Sequence, residues 1–519
     1  MYSNISTAAI LGMQCIFVQV EADVSDGLPM FEMVGVLSPE VREARERVRT
    51  ALKNCGVALP AKRYTINLFP ANIRKSGTGY DLPIAVAVLS ALGILPMQKL
   101  KHVLVIGELG LDGRVLPVRG ILPIVSEAKR AEFSLCILPN ENLTEGLQVE
   151  GIELWGVSSL RETIECFRTE TQPKECARTN CKNVNYNIEE SQLQDCNLDF
   201  SDVQGQAALK RASEIAVSGM HNLLMVGPPG SGKTMIAKRI PSILPPLEKS
   251  EQIEIAKIYS VCGKFQERED HMHIRPFRDP HHTISPFGLS GGGSLPNPGE
   301  ISLAHKGILF LDELPEFSQT TLEILRQPLE DKRIRLVRVS GSFSFPADFI
   351  LVAAMNPCKC GYFPDRQKCR CSQDSIKKYL GRISQPLLDR IDISVQAERL
   401  TFQELTDRSM QQESSCVIQE RVTNAVKKQM HRFRDTKILY NSQISPKDIE
   451  DYCQLGHFEK EFLRDFYHSS QISARSYHKI LKVARTIADL DESNEVRTKH
   501  LSEAVCFRTM DKKLWECEG

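Results

Sequence analysis

A chain of 519 residues exceeds what a single core supports and predicts roughly three or four domains. Its 65 basic and 65 acidic residues cancel, which excludes a whole-molecule field that gathers nucleic acid or anionic lipid; any such contact needs a local patch. With 42% hydrophobic and 25% charged residues, a start (MYSNISTAAILGMQC) lacking a basic n-region, and no apolar run of membrane-spanning length, neither a secretory signal nor a membrane partner is expected. The 16 cysteines form no small disulfide framework, which fits a reducing cytoplasm; most read as small buried hydrophobes.

Residues 1–168 alternate strands and helices. CIFVQVEADV (Cys15–Val24) has β character. Ser38-Pro39 opens a helix with Val41, Ala44, Val48, Ala51, Leu52 and Cys55 on one face, closed by Gly56. A second helix starts at Asp81 and stops at Gly93, and strands follow near Val103–Ile106 and Leu135–Leu138, so this region is a compact α/β module. Residues 169–199 turn polar and read as a linker; Cys176 and Cys181 lack a second ligand pair for a metal. Residues 200–400 follow, and 401–519 read as helices: TFQELTDRSM, ARSYHKILKVARTIADL and TKHLSEAVCFR. In the second of these, Tyr477, Ile480, Leu481, Ala484, Ile487 and Ala488 repeat at helical spacing and predict a buried face.

The sharpest motif is GPPGSGKT, Gly227, Pro228, Pro229, Gly230, Ser231, Gly232, Lys233 and Thr234, between an apolar strand and a helix start. A glycine-rich turn there aims backbone N–H groups at one spot. Lys233 supplies a mobile positive charge for the outer phosphates of a nucleoside triphosphate, and Thr234 a hydroxyl for Mg²⁺. GILFLDE (Gly307–Glu313) predicts a strand buried on both faces. At its end Asp312 is placed to hold the Mg²⁺ shell and Glu313 to polarise water, a pair that suits self-sufficient ATP hydrolysis. A third apolar strand, FILVAAMN, ends in Asn356, an amide able to orient the lytic water.

Two arginines, Arg390 in PLLDRID, expected to be exposed, and Arg475 at the start of the last long helical pattern, are candidates for stabilising phosphoryl-transfer charge; each is also read as a surface salt-bridge residue. Cys358, Cys360, Cys369 and Cys371 form C-x-C-x8-C-x-C, four thiolates able to hold tetrahedral Zn²⁺, although C-x-C is tighter than the usual spacing and free loop thiols are the other reading.

In the order QGQ (Gln204–Gln206), GPPGSGKT, RPFRDPHHTIS, GGGSLPNPGEISLAHKGILFLDELPEF, VAAMNPCKCGY and PLLDRID, the chain resembles the magnesium-chelatase-like branch of AAA+ ATPases, and more narrowly the bacterial YifB/ComM family, over almost its whole length. The resemblance implies a P-loop AAA+ core with a parallel sheet at 200–400, a helical C-terminal lid at 401–519, and a homo-oligomeric ring, usually a hexamer, with ATP between neighbours. It implies sensor 1 at Asn356, a trans-acting arginine finger at Arg390 and sensor 2 at Arg475. KRIRLVRVSGSFSFPADF then corresponds to a hairpin facing the ring pore, where Lys332, Arg333, Arg335 and Arg338 either meet a DNA backbone or form a solvated face. Segment HMHIRPFRDPHH, with Arg275, Arg278, His281 and His282, fits the family's insert in the second helix, in a structural or pore-loop role rather than as metal ligands.

GELGLDGRVLPVRGI (Gly107–Ile121) makes residues 1–168 similar to a Lon-protease-type domain of ribosomal-S5-like α/β fold. Alignment puts Gly79 where such proteases carry their serine and Leu122 where they carry their lysine; Ser76 lies three residues too early. No protease activity is expected without nucleophile and base. The resulting expectation is a cytoplasmic ATPase that moves on single-stranded or branched DNA, promoting branch migration in recombination and natural transformation. A chelatase-type motor acting on a tetrapyrrole and a protein-remodelling ring are the alternatives. Stimulation of ATPase by DNA separates the first from the last.

Overall fold

The computed structural model describes residues 1–169, 176–178, 198–293, 296–338, 341–399, 412–470 and 472–515. The expected helix at 401–410, Cys181, Ser340 at the hairpin tip and most of the linker 169–199 lie outside the described residues.

The first sheet is mixed and eight-stranded, in the order Cys176–Arg178, Glu153–Val157, Leu135–Pro139, Val103–Val105, Tyr2–Leu11, Gln14–Ser25, Arg63–Phe69 and Met30–Val34. Along Gln14–Ser25 every second residue, Val18, Val20, Ala22 and Val24, is buried, the period a one-sided strand requires. Helix Pro39–Asn54 lays Val41, Ala44, Val48, Ala51 and Leu52 into the same core. Helix Asp81–Ala91 is buried on every side. It carries Asp81 inside, where burial raises the carboxyl's pKa and a two-pronged bond from Arg47 (Nε 2.6 Å, Nη2 2.9 Å) opposes that rise.

The second sheet is all parallel and five-stranded: Phe277–Arg278, Ile308–Leu311, Ile350–Met355, Leu223–Val226, Ile393–Gln396. Its central strands are buried on both faces because their residues alternate between two cores. Leu223, Met225, Ile308, Phe310, Ile350 and Val352 meet the C-terminal helices; Leu224, Val226, Leu309, Leu311, Leu351 and Ala353 meet the segment that follows Met355. The carboxyl ends of three strands therefore deliver Gly227, Asp312 and Asn356 to one edge, where open α/β sheets bind ligands.

From Ser415 the described chain is mainly helical: Ser415–Arg432, His457–Ser470, Ala474–Leu490 and Thr498–Trp515. On Ala474–Leu490, Ile480, Leu481, Ala484, Ile487 and Ala488 are buried as their spacing predicts, with Tyr477 half-buried. Polar ties reinforce the packing onto the parallel sheet: Lys479 pairs with Asp392 at 3.0 Å, and Arg508 Nη1 donates to the Ile391 carbonyl at 2.6 Å.

The two α/β regions meet on helix Lys249–Cys262. The backbone N–H of Gly120 donates to the Ser260 carbonyl at 3.1 Å, and that of Leu122 to Ser260 Oγ at 3.3 Å. The Ser260 hydroxyl donates to Glu145, a buried carboxylate that also accepts from Leu122 N at 3.0 Å and Asn142 Nδ2 at 3.1 Å. Ala256, Phe265 and Met272 join Ile121, Ile124 and Val125 in one apolar cluster around these bonds. Leu122, aligned with the protease lysine, is thus a core residue of a domain contact, and Gly79 faces Ile106 and Val118. Ser260→Ala leaves the buried Glu145 a donor short. It should cost about 1–3 kcal/mol, read as a lower midpoint in calorimetric unfolding; an unchanged midpoint contradicts this account of the contact.

Candidate active site

Strand Leu223–Val226 runs into the glycine turn and then helix Lys233–Ala237. Gly230 and Gly232 sit at φ +76° and +83°, the left-handed region where a Cβ is strained. Gly227 has no room for a side chain, since a Cβ there would lie 2.6 Å from Ala397 Cβ. The turn curls around the Lys233 amine, which donates to the carbonyls of Gly227 and Pro228, both at 2.8 Å. Its other partners are Ser231 Oγ and Asn356 Oδ1, both at 3.3 Å. Burial pulls the amine's pKa down to about 8, against the opposing charge of Asp312.

Thr234 Oγ1 donates to Asp312 Oδ2 at 2.7 Å, while Asp312 Oδ1 accepts from the Glu313 N–H at 2.9 Å. Hydroxyl and carboxylate oxygens are hard donors of the kind Mg²⁺ takes. Glu313 has φ +52°, which turns its side chain away from the strand, and its carboxylate is 60% exposed. The four positions singled out by sequence thus form two side-chain hydrogen-bonded pairs, Lys233–Asn356 and Thr234–Asp312, and Glu313 adjoins them.

One neighbour was not legible in sequence. His282 Nδ1 lies 3.8 Å from Glu313 Oε2, with its ring 4.1 Å from that of His281 and edge-on to Phe317. The parallel register pairs Arg278 with Leu309, so four residues further on His282 comes level with Glu313. A strand of two residues gives no periodicity from which to read that register. Two arginines of the same segment are structural: Arg275 is buried on Glu251 (2.8 Å), and Arg278 grips Glu300 through two bonds of 2.6 and 2.9 Å.

Arg390 departs from expectation. Only 12% of its side chain is exposed, because Nη2 pairs with Glu330 at 2.7 Å while Nε and Nη1 donate to the carbonyls of Arg326 and Pro386. Arg475, more exposed, reaches the same Glu330 at 3.6 Å and Asp389 at 3.9 Å. The two arginines share a carboxylate, and among the described contacts neither touches Lys233, Thr234, Asp312, Glu313 or Asn356.

The basic hairpin forms as strands Arg333–Arg338 and Gly341–Pro346. Lys332, at its base, pairs with Asp348 at 3.4 Å. Arg333, Arg335 and Arg338 are exposed and, among the described residues, make no ion pair; Arg338 lies over the exposed Phe287 ring at 5.6 Å.

The four cysteines converge. All their sulfur atoms lie within 4.8 Å of one another, with Cys358 3.3 Å from Cys360 and 3.7 Å from Cys369. Tetrahedral Zn–S bonds of about 2.3 Å place sulfurs about 3.8 Å apart, so the set lies close to the spacing that such an ion takes. Burial holds the Cys369 thiol's pKa above its ordinary value, whereas at Cys360 bonds from the Tyr362 backbone and the neighbouring thiols outweigh burial and bring the thiol below its ordinary value.

Three family profiles match along the chain: magnesium chelatase, subunit ChlI, over residues 199–405; subunit ChlI of Mg-chelatase over 20–142; and the ChlI C-terminal region over 412–508. The uncharacterized protein YifB of Salmonella typhimurium is 40% identical over 517 residues, 98% of this chain and 97% of that protein. Competence protein ComM of Haemophilus influenzae is 39% identical over 510 residues, again 98% and 97%. Lon protease 2 of Bacillus subtilis is 29% identical over 147 residues, 27% of this chain and 26% of that one. Near-complete coverage by such relatives, together with the nucleotide-type loop and its acidic partner, shows that the chain belongs to the YifB/ComM family of magnesium-chelatase-like proteins.

Proposed function

We propose that this protein is a ring-forming AAA+ ATPase that couples ATP hydrolysis to movement on DNA, promoting branch migration during recombination and the integration of incoming DNA. The observation that carries the ATPase part is the hydrogen-bonded set Lys233–Asn356 and Thr234–Asp312 at the carboxyl edge of a parallel sheet. Residues Gly227 to Gly232 cradle the triphosphate, and Lys233 exchanges its carbonyl partners for phosphate oxygens. Thr234 and Asp312 hold Mg²⁺, which supplies positive charge to the phosphates when bound. Glu313 orients and deprotonates water, and Asn356 fixes it. Lys233→Ala should abolish ATP binding, whereas Glu313→Gln should retain ATP and lower the turnover rate by about 10²–10⁴-fold. Filter binding and phosphate release separate the two, and equal loss of binding in both variants overturns these roles.

A ring, hexameric in this reading, is supported by the position of Arg390 and Arg475, which share the Glu330 carboxylate and, among the described contacts, touch none of Lys233, Thr234, Asp312, Glu313 or Asn356. Arg390 then acts on the nucleotide of a neighbour, and Arg475 contacts nucleotide from the helical lid. Doping wild-type protein with Arg390→Ala subunits should lower ATPase more steeply than in proportion to the mutant fraction, while Arg390→Ala alone still binds ATP; a linear decline counts against action across subunits.

The DNA part draws on likeness to a competence protein and on the exposed arginines of the hairpin, which make no ion pair among the described residues. Arg335→Ala and Arg338→Ala should each weaken DNA binding and reduce the slope of log affinity against log salt by about 1. Lys332→Ala should alter that slope less, since Asp348 already holds its amine. ATPase indifferent to single-stranded and branched DNA would favour a protein-remodelling motor instead. Residues 1–168 serve this motor as a Lon-like domain without protease chemistry, and the four-cysteine site holds zinc.

A further inference from the structure

We infer that the four-cysteine knuckle is a brace for the nucleotide loop, in which a thiolate-bound zinc ion sets the position of Pro229 and thereby the affinity for ATP. The inference rests on the nucleotide and zinc readings above and adds a physical link between them. Gly361, next to Cys360 and at φ +81°, lies flat against Pro229: a Cβ built on it would overlap the proline Cδ. Its N–H donates to the Cys358 carbonyl at 3.0 Å, so the turn that touches the loop is the one that carries two of the four sulfurs. Cys358 itself is fully buried, packed in the same apolar cluster as Val226 and Met355, the residues that end the two neighbouring strands. Two residues before it, Asn356 accepts from Lys233. The segment 356–361 thus grips the nucleotide loop at both ends, at Lys233 and at Pro229.

What holds that segment from the far side is the return of the chain at Cys369 and Cys371. Helix Gln373–Leu380 begins only after them, and between Gly361 and Ser372 the chain forms no helix or strand. Four sulfurs on one ion fix such a loop as a hydrogen-bonded ladder would; four free thiols, each a weak donor, do not. Gly361 can press on Pro229 only while the knuckle is closed.

The test uses full-length protein, zinc measured by atomic emission, and a fluorescent ATP analogue with Mg²⁺ held constant. Zinc should copurify at about one per chain. Its release by a mercurial, or by Cys369→Ser, should weaken the analogue's binding by about tenfold or more while far-UV circular dichroism is retained. Gly361→Ala should weaken binding with zinc still present, a result a remote structural defect in the knuckle would not give. With Pro229→Ala, which removes the ring that Gly361 touches, zinc release should change affinity by less than about twofold. Unaltered affinity on zinc loss, or the absence of stoichiometric metal, overturns the brace. Failure of the zinc-loaded wild type to bind the analogue overturns the nucleotide reading itself, and the Lys233→Ala variant marks that baseline.

Discussion

A primary amine taken out of water needs oxygen around it, and Lys233 meets that need from its own loop and from the strand tip beside it. The carbonyls of Gly227 and Pro228, the Ser231 hydroxyl and the Asn356 amide surround it, while Asp312 supplies the nearest opposing charge. This arrangement fixes what else must be true of the fold. The loop has to follow a strand buried on both faces, so that its start cannot shift. The strands bearing Asp312 and Asn356 have to be parallel to it and adjacent in the order observed. Gly227 has to remain bare against Ala397 for the turn to close. The parallel sheet is therefore the precondition of the site, and the two cores on its faces are the precondition of the sheet.

The sequence exposed these features unequally, for physical reasons. Motifs whose chemistry requires consecutive residues were plain: the glycine loop, the acidic pair after an apolar strand, and the helices whose buried face repeats every three or four positions, as in Ala474–Leu490. Groups brought together by tertiary register were hidden. His282 reaches Glu313 only because a two-residue strand pairs with Ile308–Leu311, and no periodicity announces so short an element. Lys332 belongs to a basic run in sequence, and nothing in that run shows that Asp348, sixteen positions later, pairs with it once the hairpin closes. Arg390 was read as exposed, since nothing in PLLDRID reveals Glu330 on a separate helix. The contact between Gly361 and Pro229 joins two glycine- and proline-rich turns with no shared pattern.

The N-terminal α/β region is joined to the next by directed polar bonds. At the aligned protease positions stand Gly79, against aliphatic side chains, and Leu122, inside a core. The backbone beside Leu122 instead bonds to Ser260 on the adjoining helix, and Glu145 gathers three donors at the same point. A buried carboxylate with that many partners is directional as well as adhesive, so the contact defines an orientation between the two regions in addition to holding them.

Glu330 links two parts of the chain. It receives one guanidinium from the sheet-bearing half and one from the helical half, at 2.7 and 3.6 Å. Arg475 also lies 3.9 Å from Asp389, the residue before Arg390, so the helical half meets the segment bearing Arg390 at two acids. Arg390 is further held by the carbonyls of Arg326 and Pro386, and its place is therefore set by three elements of the fold at once.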